Sequence, residues 1–135
     1  MTRFDAATPE ERRKLFVAAI DAHRERASPY ATFEAHEDVR ADDEDADDRL
    51  PPWVQFGDGT LNLDCTDKEL DALKSLLGEF PAFKIDDLAR PEEAEGVNVR
   101  VSALADPNRV AQCIDAVFRD VYGQPEEFRA WVAAV

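Results

Sequence analysis

Residues 53–65 read WVQFGDGTLNLDC, and the class of fold follows from their alternation. Val54 and Phe56 alternate with Trp53 and Gln55, and Leu61, Leu63 and Cys65 alternate with Thr60, Asn62 and Asp64. Successive side chains of a strand point to opposite faces, so each run makes a strand with one apolar face and one polar face. Gly57-Asp58-Gly59 turns the chain between them, because these residue types tolerate the positive φ of a tight hairpin. Strands patterned this way belong to an antiparallel sheet that is packed on one side and open on the other.

Downstream, Thr66-Asp67-Lys68-Glu69 forms a capping box that opens a helix with Leu70, Leu73, Leu76 and Leu77 inward and Gly78 as its stop. Phe83 and Ile85 alternate around Lys84 in a third strand. After Gly96, Val97, Val99, Val101 and Ala103 alternate with Asn98, Arg100 and Ser102 in a fourth. Asp106-Pro107 caps the next helix, whose inward residues are Val110, Cys113, Ile114, Val117, Phe118 and Val121, ending at Gly123. Pro125 then introduces a final short helix with Phe128, Trp131 and Val132.

Upstream, Thr8-Pro9-Glu10-Glu11 starts a helix on which Leu15, Phe16, Ala19, Ile20, His23 and Ala27 share a face. Ser28-Pro29 ends it and starts a short second helix carrying Tyr30 and Phe33. Glu37 to Asp48 is nearly all acid, with Val39 its one sizeable apolar residue, and reads as a solvated loop. The expectation is a single α+β domain over 1–135: an N-terminal helix within 1–30, an acidic loop over 37–50 and a core over 51–135. The core is a two-layer sandwich, a four-stranded, mostly antiparallel sheet in ββαββα order with helices on one face.

Thirty acidic residues stand against sixteen basic ones, a net charge of −14. So much like charge destabilises a compact chain in dilute buffer. In about 1 M salt the Debye length falls to roughly 3 Å and the repulsion is largely screened. The acids run along the whole chain, arginine outnumbers lysine twelve to four, and isoleucine occurs only at 20, 85 and 114. The composition therefore points to a halophilic protein. It argues against nucleic acid, which needs a basic face, and a sheet platform for bases would need more aromatics than Trp53. No run approaches a membrane span and there is no apolar leader, so the expected location is the cytoplasm without membrane contact.

Catalytic patterns are missing. Ser28, Ser75 and Ser102 lie in no nucleophile elbow, and the chain holds no phosphate loop, dinucleotide fingerprint or HExxH pair. No catalytic residue, cofactor or metal site is expected. His23 falls on an apolar helix stripe as a packed histidine. His36, among Glu34, Glu37 and Asp38, makes at most a weak cation cluster. Asp43, Asp45 and Asp47 begin like a calcium loop, but Asp48 stands where glycine and Val54 where glutamate is required. Cys65 and Cys113 fall on inward faces as packing groups.

Parity leaves one feature to explain. Trp53, Gln55, Asn62, Lys84, Asn98, Arg100 and Ser102 all belong to the open face of the sheet. Exposed aromatic and basic groups on an acidic background mark contact surfaces. The plain alternative is that Lys84 and Arg100 pair with Asp64 across strands.

The segments LDCTDKEL, FPAFKIDDL, EEAEGVNVRVSALADPNRV, VFRDVYG and FRAWV resemble a family of small conserved haloarchaeal proteins of uncharacterised function. The resemblance implies a haloarchaeal source and no activity. The function expected is a non-catalytic module that associates with itself or with another protein. The alternative is a small anionic-ligand-binding domain in which Lys84 and Arg100 receive the anion beside Trp53.

Overall fold

Asp58 and Gly59 both hold positive φ, 53° and 70°, so the hairpin closes in two residues. Turns of this hand match the twist of the flanking strands. In this computed structural model, which describes residues 5–26, 31–35, 52–90 and 96–134, the hairpin lies at the middle of a seven-stranded sheet. The strands are β1 (Asp5–Ala6), β2 (Ala31–Ala35), β3 (Trp53–Gly57), β4 (Thr60–Cys65), β5 (Phe83–Ala89), β6 (Val97–Ala103) and β7 (Ala130–Ala134). Their order is β1-β7-β2-β3-β4-β6-β5, and every neighbouring pair is antiparallel.

The mixed α and β composition and the antiparallel sheet agree with the sequence; the count of four strands does not. The extra strands are β1, β2 and β7. Residues 31–35, expected to be helical around Phe33, form β2 instead, with Ala31, Phe33 and Ala35 buried and Thr32 and Glu34 on the other side. Residues 130–134, also expected to be helical, form β7, which pairs with β2 through Phe33↔Val132, Glu34↔Trp131 and Ala35↔Ala130. The acidic loop over 37–50, His36 and the Asp43-Asp45-Asp47 run lie outside the described residues.

Three helices cover one face: α1 (Pro9–Arg26), α2 (Asp67–Leu77) and α3 (Pro107–Ala116). The Glu11 N–H donates to Thr8 Oγ1 at 3.2 Å. In α2 the Glu69 N–H donates to Thr66 Oγ1 at 3.1 Å, and the Thr66 N–H donates back to Glu69 Oε1 at 2.8 Å. Asp106 caps α3 by accepting from the Arg109 N–H at 3.1 Å. Past Ala116 the helix widens into one π turn over Val117–Val121, closed by the Tyr122 N–H on the Val117 carbonyl at 3.1 Å. Gly123, at φ 68°, redirects the chain toward β7.

The core lies between helices and sheet. Leu70, Leu73, Leu76 and Leu77 of α2 join Val110, Cys113 and Ile114 of α3 over the inward residues of the strands. Phe16 meets Phe33 edge-on with centroids 5.0 Å apart, and Phe118 lies 5.3 Å from Phe128. His23 is buried with its ring edge-on to Phe56 at 5.6 Å.

Candidate functional site

With all three helices on one side, the polar side chains of the strands assemble on the other. Thr32, Gln55, Asn62, Arg100 and Asp87 form one row across β2, β3, β4, β6 and β5. Asp5, Trp131, Glu34 and Trp53 form the next, across β1, β7, β2 and β3. Thr60, Ser102 and Lys84 make a third, and Asp64 opposes Asn98. All seven residues assigned to the open face by parity therefore lie on one surface. Trp131, Glu34, Thr32, Asp5 and Arg129 join them; the alternation of β2 and β7 was the signal for these, and their shortness hid it.

The chain's two tryptophans both stand on this face, flanking Glu34, which is the direct Cα partner of each. Trp131 is 38% exposed, unusual for so large an apolar group. Arg129 pairs with Asp5 at 2.5 Å. Asp64 accepts from Asn98 Nδ2 at 2.9 Å rather than from a basic side chain. The expected alternative, a cross-strand pair of Asp64 with Lys84 or Arg100, is absent. Among the described residues Lys84, Arg100, Glu34 and Asp87 have no ion-pair or side-chain hydrogen-bond partner.

The centre of the face is polar and imperfectly satisfied. Gln55 Nε2 donates to Thr32 Oγ1 and Asn62 Nδ2 to Gln55 Oε1, both at a long 3.5 Å. Asn62 Oδ1 is shielded from water and accepts nothing. A buried acceptor left this way costs about 1–3 kcal/mol.

Elsewhere the chemistry is quiet. Burial pushes the Cys65 thiol up to about 12, helped by the charge of Glu69, and burial alone raises Cys113 to about 12. Both thiols stay protonated near neutrality and are poor nucleophiles. Burial likewise raises Tyr122, whose hydroxyl donates to the Asp64 carbonyl at 2.6 Å. Among the described residues no group of three or more His, Cys, Asp or Glu side chains could hold a metal ion, and no helix is long and apolar enough to cross a membrane. A depression of about 210 Å³ between α1 and α3 is lined by Arg13, Arg119, Asp115 and Asp120. It is smaller than ordinary ligand pockets, and its charges cancel.

Arg12 is fully buried, and nothing in its charge announces that. Its Nε donates to Asp115 Oδ1 at 2.7 Å, and its Nη1 donates to the carbonyls of Ala7 at 3.2 Å and Phe128 at 2.9 Å. Its helical phase, four residues before Phe16, was the signal. This group holds α1, α3 and the approach to β7 together, on the side of the sheet away from the open face.

A family profile matches residues 1–135, the full sequence. The chain belongs to DUF7975. That is a family of unknown function, so membership carries no activity to the open face. No curated protein and no solved structure matches this DUF7975 chain.

Proposed function

We propose that this protein is a non-catalytic protein-binding module of a halophilic organism, and that the open face of its sheet is the binding surface. The observation that carries the reading is the charge and aromatic content of that face. Three bases, Lys84, Arg100 and Arg129, meet four acids, Asp5, Glu34, Asp64 and Asp87, a balance of −1 on a chain whose total is −14. Near-neutrality, two tryptophans, one of them exposed and one half-buried, and unpaired charges of both signs together describe a contact surface rather than a solvated one. The acids elsewhere then serve to keep the chain hydrated in high salt.

An anionic small molecule is the weaker occupant. Lys84 and Arg100 would receive it, but Glu34 and Asp87 lie on the same face and oppose an anion.

Tagged protein in a lysate kept in multimolar KCl should retain a stoichiometric protein partner, untagged copies of itself included. The double variant Trp53→Ala/Arg100→Glu should lose it while keeping the wild-type far-UV circular dichroism. Retention of the same partner by that variant would show that binding lies elsewhere on the molecule.

A further inference from the structure

The two halves of the open face differ in kind. The β7-β2-β3 side offers an acid between two aromatic rings: Trp131, Glu34 and Trp53. The β6-β5 side offers two bases, Arg100 and Lys84. Strands lie about 4.8 Å apart and rise about 3.4 Å per residue, so near the centre of the sheet, before its twist accumulates, the register sets positions on a grid. On that grid Glu34 and Arg100 are separated by three strands and two residues, about 16 Å.

We propose that the occupant of this face is a second copy of the same chain, docked face to face about a two-fold axis beside the Gln55–Asn62 pair. The inference rests on the binding-surface reading above and names its partner. A two-fold contact is isologous, so whatever one patch gives the other must receive. An axis lying in the interface and bisecting the line from Glu34 to Arg100 sets each on the other's counterpart. The same rotation sets the contacts of the central strands. It also lays Trp53 among Asn62, Asn98 and Arg100, where the guanidinium meets the indole face. Two sets of groups from the four central strands β2, β3, β4 and β6 become complementary under one operation, which a face tuned only for hydration has no reason to show.

One contact runs the other way. Asp64 lies almost on the axis and meets its own copy, each carboxylate held by the amide of Asn98. Two copies of net charge −14 also repel at long range, and at the ~3 Å Debye length of about 1 M salt that repulsion largely disappears, whereas pairs buried in the contact are screened much less. Association is therefore expected to tighten as KCl is raised, the reverse of an interface held by surface ion pairs alone.

The test is sedimentation equilibrium of the full chain in multimolar KCl, for wild type, Glu34→Arg, Arg100→Glu, and an equimolar mixture of the two variants. The wild type is expected to be dimeric. Each variant sets like charges against each other twice per dimer and should weaken association at least about tenfold. In the mixture both contacts are complementary again, so the heterodimer should re-form. Because recovery requires two folded variants, it excludes misfolding as the cause of the loss. A wild type that stays monomeric at every concentration overturns self-association alone; loss of the captured partner in the Trp53→Ala/Arg100→Glu variant would still uphold the binding face. A dimer that both reversals leave intact overturns this geometry. A mixture that stays monomeric when both variants do overturns the pairing.

Discussion

Arg12→Met is expected to lower the unfolding free energy by about 3–5 kcal/mol, the usual cost of removing one partner from a buried ion pair. Three acceptors lose their donor at once: Asp115 and the carbonyls of Ala7 and Phe128. The guanidinium also lies 4.0 Å from the Phe128 ring centroid, a contact that methionine only partly replaces. Asp115 retains slight exposure, which lets water recover part of the loss. The native group is not fully satisfied either, since Arg12 Nη2 is buried without a partner. For that reason Arg12→Met/Asp115→Leu should recover most of the stability, as apolar replacement of a whole buried pair often does. Urea denaturation at fixed KCl measures both variants. A loss below about 1 kcal/mol for the single change would mean that the arginine is not an anchor.

Phe33→Ala is expected to cost about 3–5 kcal/mol, the range for deleting a buried phenylalanine ring. Phe33 is fully buried, edge-on to Phe16, and is the Cα partner of both Val54 and Val132. It therefore holds β2 where that strand joins β7 to the β3-β4 hairpin. Thr32→Ala, one residue away on the open face, should change stability by no more than about 0.5 kcal/mol. The contrast between neighbours tests the strand itself. Equal effects at 32 and 33 would contradict the alternation of β2.

The difference between the legible and illegible parts of this fold is one of length and side-chain size. In β3, β4 and β6 the inward row consists almost wholly of Val, Leu and Phe, so a two-residue period stands out. The capping residues Thr66, Glu69 and Asp106 announce the helices for a local reason, because each satisfies backbone donors within its own first turn. In β2 the inward residues are Ala31, Phe33 and Ala35, and alanine carries little signal in either period. Residues 128–132 satisfy both periods: Phe128, Trp131 and Val132 at helical spacing, Phe128, Ala130 and Val132 at strand spacing. Pairing with β2 decides between them, and that is a long-range fact.

The candidate site inherited this split. Parity alone put Trp53, Gln55, Asn62, Lys84, Asn98, Arg100 and Ser102 on one face. The helical spacing of Phe128, Trp131 and Val132 conceals that Trp131 stands beside Glu34, and with it the acid between two tryptophans. Glu34 was hidden with it, as was the two-sided character of the face. The alternative pairing of Asp64 with a base fails because the directly opposed Asn98 amide reaches the carboxylate.

Both tryptophans of the chain stand on the open face, so indole fluorescence reports on that surface and nothing else. Acrylamide quenching, which is insensitive to charge, should be measured in multimolar KCl across a dilution series spanning the association. If the face is a binding surface occupied by a second copy, the quenching constant falls as concentration rises and stays high throughout in Arg100→Glu. A quenching constant independent of concentration in a wild type that sedimentation shows to be dimeric would contradict the account, because the interface would then lie away from the tryptophans.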